Sequence, residues 1–170
     1  MSSVLPQGWE ETFLGEVGEF SKGKGIAKKE VVSTGIPCIR YAEIYTDYDF
    51  VVRKVRSFIT ADTASNSKKL KHGDIVFAGS GETVEDIGKS VAYMGYEDAY
   101  VGGDTVVLSP SKSLDSSFLS YQLNDDLRRM ILPTKTGHSV KRVNYRKAEV
   151  NDEQENNKEQ GSAAATYTGV

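Results

Sequence analysis

The sequence predicts an α+β fold, a single domain with a mixed, twisted sheet, few helices and long loops. Three features point there. Short β-type runs recur at 36–41, 50–59, 74–78, 90–94 and 100–108, bounded by glycine, aspartate and serine clusters. Several of these runs are apolar on both parities, as a sheet covered on two faces requires. One long segment, 115–132, has a helical period.

Taken in order, Trp9, Phe13, Leu14 and Val17 have the spacing of one face of a short helix, which Gly15 and Gly18 end early. Residues 22–29, Lys-Gly-Lys-Gly-Ile-Ala-Lys-Lys, have no period and read as an exposed basic loop. Cys38 lies in the apolar run Ile36-Pro37-Cys38-Ile39 and reads as a buried structural thiol rather than a nucleophile. In 115–132, Leu119, Leu123, Leu127 and Ile131 recur every four residues, Asp115 caps the start and Pro133 closes the end. Residues 151–160 contain no apolar side chain, and 161–170 are small and polar. Such a segment buries too little apolar surface to offset its ordering entropy. The expected division is a globular domain over 1–150 and a disordered acidic tail over 151–170.

Composition removes several classes. At 170 residues the chain is long enough for a hydrophobic core, and 38% hydrophobic residues with 16 glycines keep it globular. One cysteine and two distant histidines, His72 and His138, give neither a disulfide nor zinc-ligand spacing. No metal or cofactor is expected. No run approaches a membrane span and the N-terminus lacks a signal pattern, so the expected compartment is the cytoplasm. The net charge of −3 is all in the tail, because twenty of the 21 Lys/Arg and twenty of the 24 Asp/Glu precede residue 151.

Catalytic patterns are weak. Gly88-Lys89-Ser90 resembles the end of a phosphate-binding loop, but that motif needs glycine where Thr83 stands. Glu82, Glu85 and Asp86 would repel a triphosphate, and the Val-Ala-Tyr-Met run after Ser90 reads as a strand rather than a helix. A long glycine-hinged hairpin loop explains the segment. His138 has no neighbouring acid and no recognisable nucleophile.

Charge distribution is more informative. Between Asp126 and Glu149 there is no acid, while Arg128, Arg129, Lys135, Lys141, Arg142, Arg146 and Lys147 supply cations, with His138, Asn144 and Tyr145 among them. Smaller clusters lie at Lys22, Lys24, Lys28 and Lys29, and at Lys68, Lys69, Lys71 and His72. Glycines at 23, 25 and 137 let backbone approach phosphate, and Asn, Ser, Tyr and Arg can contact bases or backbone. The 128–147 stretch reads as a functional basic face.

In order, several segments resemble the target-recognition domain of a type I restriction-modification DNA specificity subunit. They are Leu-Pro-Gln-Gly-Trp-Glu from Leu5, Gly35-Ile-Pro-Cys-Ile-Arg40-Tyr41, Leu70-Lys71-His72-Gly73-Asp74-Ile-Val-Phe, Ala78-Gly-Ser-Gly-Glu-Thr83, Gly102-Gly103-Asp104, Phe118-Leu-Ser-Tyr121-Gln-Leu-Asn124 and Thr136-Gly-His-Ser-Val140. No single piece is specific; the ordered series is. The resemblance implies a non-catalytic protein whose loops face DNA, reading half of a split duplex sequence and directing modification (methyltransferase) and restriction subunits to it. A family member normally carries two such domains, each followed by a long spacer helix. Here Ala148-Glu-Val-Asn-Asp-Glu-Gln154 and the polar tail stand at that place, so the expectation is a half-length or truncated form, with a homodimer left open.

On this reading, the DNA contacts are Lys22 and Lys24 from the first loop, Ser80, Glu82 and Thr83 from the glycine loop, and His138, Ser139, Lys141, Arg142 and Tyr145 from the basic stretch. Lysine and arginine mainly hold phosphate, with Thr83, Ser139 and Arg142 assigned to base edges. Three other readings stay open: a decoy or regulator that binds a modification subunit without DNA, a nucleotide-binding enzyme using the Gly81 to Lys89 loop, and a stand-alone nuclease, for which the sequence offers no metal-ligand cluster.

Overall fold

The computed structural model describes residues 4–83, 85–111 and 114–125, together with the backbone of 142–146. In chain order the elements are β1 (Trp9–Phe13), β2 (Gly18–Lys22), β3 (Val31–Val32), β4 (Ile36–Ile39), α1 (Tyr41–Thr46), β5 (Val51–Val52), β6 (Ser57–Ile59), α2 (Ala61–Ser65), β7 (Lys68–Leu70), β8 (Ile75–Ala78), β9 (Ser90–Tyr93), β10 (Ala99–Val101), β11 (Thr105–Pro110), α3 (Ser116–Leu123) and β12 (Arg142–Arg146). Short 3-10 turns occupy Leu14–Glu16 and Lys28–Glu30.

The α+β class holds, with the strands divided between two five-stranded sheets, β2-β11-β8-β9-β5 and β3-β6-β4-β10-β7, and a β1-β12 ribbon. Both five-stranded sheets are mixed, because β5 runs parallel to β9 and β4 parallel to β10. Alternation along β8 explains why the sequence is apolar on both parities. Val76 and Ala78 join Val91, Val107, Ile39, Val101 and the α1 residue Ile44 in a core between the two sheets. Ile75 and Phe77 face the other way, into a cluster with Leu14, Val17 and the α3 residues Leu119 and Leu123. Cys38 packs with Ile26, Ile59 and Ala64 in a third cluster. Burial pushes its thiol up to about 12, Glu43 adds to the rise and Arg40 opposes it. That is a structural thiol, as the sequence reading expects.

Four local expectations are corrected. Trp9 to Val17 is not a helix: Trp9–Phe13 is a strand, because it pairs antiparallel with Arg142–Arg146, far away in sequence. The 100–108 run breaks at Gly102-Gly103-Asp104 into strands of different sheets, and Asp104 takes φ 55°, a left-handed geometry incompatible with a continuous strand. The 50–59 run likewise divides into β5 and β6. The Asp115 cap is observed, with its carboxylate accepting from the Phe118 N–H at 3.0 Å. The helix itself ends at Leu123, with Asn124 as its C-cap and Asp125 in a bend, so the continuous helix expected to 132 is not formed; Leu127, Ile131 and the domain boundary at 150 lie outside the described residues.

Candidate functional site

Strand ends from both sheets meet at one end of the molecule. There β2 ends at Lys22, opposite Val106, and β11 begins at Thr105, opposite Ala78 at the end of β8. Ser90 starts β9 opposite Phe77. In the second sheet, β4 and β10 finish together at Ile39 and Val101, and Lys68 of β7 lies opposite Val101. Backbone bonds stitch the connecting segments: Gly23 N–H donates to the Thr105 carbonyl (3.0 Å), Gly103 N–H to Gly25 (2.7 Å), Gly79 N–H to Asp104 (2.7 Å) and Gly102 N–H to Ile39 (3.1 Å).

Close approach dictates glycine at the centre of this junction. A Cβ on Gly23 would overlap the Gly102 carbonyl oxygen and Thr105 Oγ1. The first basic loop is therefore held in place rather than simply exposed. Its Ile26 is buried in the third cluster at φ 60°, while Lys22, Lys24, Lys28 and Lys29 remain exposed. Among the described residues these four lysines make no ion pair, unlike Arg56 with Asp47 and Lys69 with Asp98.

The glycine loop leaves β8 through Gly79-Ser80-Gly81 and returns with Gly88 at φ 83°. Ala78 N–H donates to the Lys89 carbonyl and Gly88 N–H to the Ala78 carbonyl, closing a long hairpin. Asp86 Oδ2 accepts from the Thr83 N–H at 2.9 Å, which fixes the tip and leaves Glu82 and Thr83 exposed and Ser80 half-buried. Lys89 Nζ donates to the Tyr48 carbonyl at 2.9 Å. Ser90 is fully buried, with its backbone bonded to Asn124. The two residues a phosphate loop needs most, Lys89 and Ser90, are thus employed in the fold.

The Lys89 bond also brings the glycine loop beside α1. Here lie residues that sequence reasoning missed. Arg40 caps the helix start, its N–H donating to Glu43 Oε2 at 3.0 Å, and the rings of Tyr41 and Tyr45 sit 6.4 Å apart. Partial burial pushes the Tyr45 phenol above its ordinary value, Tyr41, Glu82 and Asp86 add to the rise, and Arg40 opposes it. Tyr45 therefore sits within the field of the glycine-loop carboxylates. A strand run that ends in Arg-Tyr was the available signal, but nothing local tied it to Glu82.

Of the sequence-predicted residues, the structure gathers Lys22, Lys24, Ser80, Glu82 and Thr83 at this end. His138, Ser139 and Lys141 lie outside the described residues. The backbones of Arg142 and Tyr145 pair with Phe13 and Glu10 in the ribbon, and β1 feeds into β2 at Gly18, away from Lys22. The third basic cluster is divided. Lys68 lies toward the loop end, Lys69 pairs with Asp98 at 2.8 Å, and His72 stacks on exposed Tyr96. Among the described residues no group of His, Cys, Asp and Glu has metal-holding geometry, and no helix is long and apolar enough to cross a membrane.

Residues 6–148 match the family model described as the type I restriction modification DNA specificity domain. No curated protein matches by sequence. Three solved structures are similar in fold. One, from work on complex assembly and conformational transition of the type I R-M system, has a TM-score of 0.57 at 19% identity, covering 96% of this chain and 41% of that one. The HsdS subunit from Thermoanaerobacter tengcongensis gives 0.54 at 18% identity, covering 96% and 40%. The S subunit of a type I restriction-modification system from M. genitalium gives 0.51 at 18% identity, covering 83% and 35%. The chain thus spans about two fifths or less of the length of these structures.

Proposed function

Because the chain belongs to the type I restriction-modification DNA specificity domain family, we propose that it recognises a short sequence in duplex DNA and performs no chemistry of its own. The observation that carries the reading is the convergence of the loops bearing Lys22 and Lys24, Ser80 to Thr83, and Gly102 to Asp104, with Lys68 beside them. Cations held on a rigid backbone junction suit phosphate, and the neighbouring hydroxyls suit base edges. Exposed lysines that make no ion pair among the described residues can release counterions on binding, which is the main source of affinity for a polyanion.

We also propose DNA contacts for Arg142 and Tyr145 of β12, whose ribbon lies away from Lys22 and would form a second contact region, and for His138, Ser139 and Lys141, which lie outside the described residues. In the cell the bound sequence would be presented to modification and restriction subunits of a type I system. Selection from a random duplex library at about 50 mM salt tests the reading. Enrichment of a short half-site is expected. A flat profile would overturn it and favour a module that binds a modification subunit without DNA.

A further inference from the structure

The glycine loop combines two properties that phosphate binding does not explain. It stands at the cationic end of the molecule, yet its exposed tip carries Glu82, which forms no hydrogen bond or ion pair among the described residues. The neighbouring Asp86 has a structural task, holding the Thr83 N–H. Glu82 has none. A carboxylate brought against a polyanion is repelled unless it meets a hydrogen-bond donor. In the major groove those donors are the exocyclic amino groups of cytosine and adenine.

The loop is also fixed against α1, through the Lys89 bond to the Tyr48 carbonyl and through the shared core that contains Ile44, Val76 and Ala78, against which Tyr45 packs. Arg40 stands at the start of that helix, where β4 and β10 end and Gly102 bonds to Ile39. Its fork of donors matches guanine O6 and N7. The Tyr45 hydroxyl can donate or accept beside either. Side chains on packed elements hold the positional accuracy that base reading requires better than those on free loops.

Resting on the DNA-binding reading above, we infer that Glu82, Arg40 and Tyr45 form a specificity-determining patch. Glu82 accepts from the amino group of cytosine, and Arg40 donates to a neighbouring guanine. Lys22, Lys24 and Lys68 hold the backbone around them and carry no sequence information.

The test is duplex selection on the full chain with four variants, Glu82→Gln, Arg40→Lys, Tyr45→Phe and Lys24→Ala, each checked for an unchanged thermal transition. Glu82→Gln and Arg40→Lys should each relax the preference at one position by about tenfold while leaving the salt slope as it was. Tyr45→Phe should soften a position shared with one of them. Lys24→Ala should weaken every sequence alike. An unaltered preference in both Glu82→Gln and Arg40→Lys, with wild type still selecting a half-site, would overturn this patch and leave the DNA reading intact. A wild-type chain that selects nothing would overturn both.

Discussion

The side-chain amide of Asn124 pairs with both backbone polar groups of Ser90, Oδ1 accepting from its N–H at 2.9 Å and Nδ2 donating to its carbonyl at 2.7 Å. β5 reaches β9 only at Ala92 and Tyr93, so on that side Asn124 takes the place of a strand neighbour. The end of α3 is thereby fastened to the point where the glycine loop re-enters the sheet. Replacing Asn124 by Ala leaves the buried Ser90 N–H without a partner, while the carbonyl keeps the bond donated by Ser120 Oγ at 3.2 Å, and should cost roughly 1–3 kcal/mol. Urea unfolding measures it; a change below about 0.5 kcal/mol would mean the pairing contributes little.

Gly23→Ala should disturb recognition directly. The added Cβ meets the Gly102 carbonyl and the Thr105 side chain, so the loop carrying Lys22 and Lys24 must move away from the junction. Affinity for duplex DNA at low salt is expected to fall several-fold or more. Binding indistinguishable from wild type would separate this loop from the DNA surface.

Lys24→Ala should weaken all sequences alike and flatten the slope of log affinity against log salt by about one unit, as one lost phosphate contact does. The same is expected of Lys141→Ala. A change of base preference in either variant would move that residue to the base-reading group.

Lys89→Met separates the nucleotide-binding alternative from the hairpin loop. Wild type should bind no ATP, since Lys89 is bonded to the Tyr48 carbonyl, and the variant should show looser DNA selectivity through a less fixed loop. Calorimetric ATP binding that disappears in the variant would contradict this assignment.

Stability should fall at high pH. Burial holds the Cys38 thiol up from 9.0 to about 12 and the Tyr48 phenol up from 10.0 to about 12. The folded chain therefore binds these protons more tightly than the unfolded chain. Their contribution is complete below pH 9 for Cys38 and below pH 10 for Tyr48, and is lost as pH rises toward about 12. Denaturant midpoints measured from pH 8 upward should decline over that window, and Cys38 should resist alkylation at pH 8 until the chain unfolds.

Much of the core was legible locally. Ile75 to Ala78 and Val91 to Tyr93 are apolar on both parities because α3 covers one face of their sheet and the second sheet covers the other. Asp115 announced the cap it makes. Trp9 to Val17 misled because the spacing 9, 13, 14, 17 fits a helix face, whereas pairing with Arg142–Arg146 decides the strand and leaves no local mark. The site was legible in its parts and not in its assembly. Lys22, Ser80 and Thr83 were visible as basic and glycine loops, but Arg40, Tyr45 and Lys68 join them only through the β4–β10 and β7–β10 pairings and the Lys89 bond, contacts between residues tens of positions apart.

The most direct test is the ratio of affinities of the full chain for a selected duplex and for a shuffled duplex of identical composition, measured at equilibrium in about 150 mM salt. Sequence-specific recognition predicts a ratio of roughly a hundred or more. A ratio near one, with both affinities falling together as salt rises, would contradict it and reduce the loop end to a general polyanion surface.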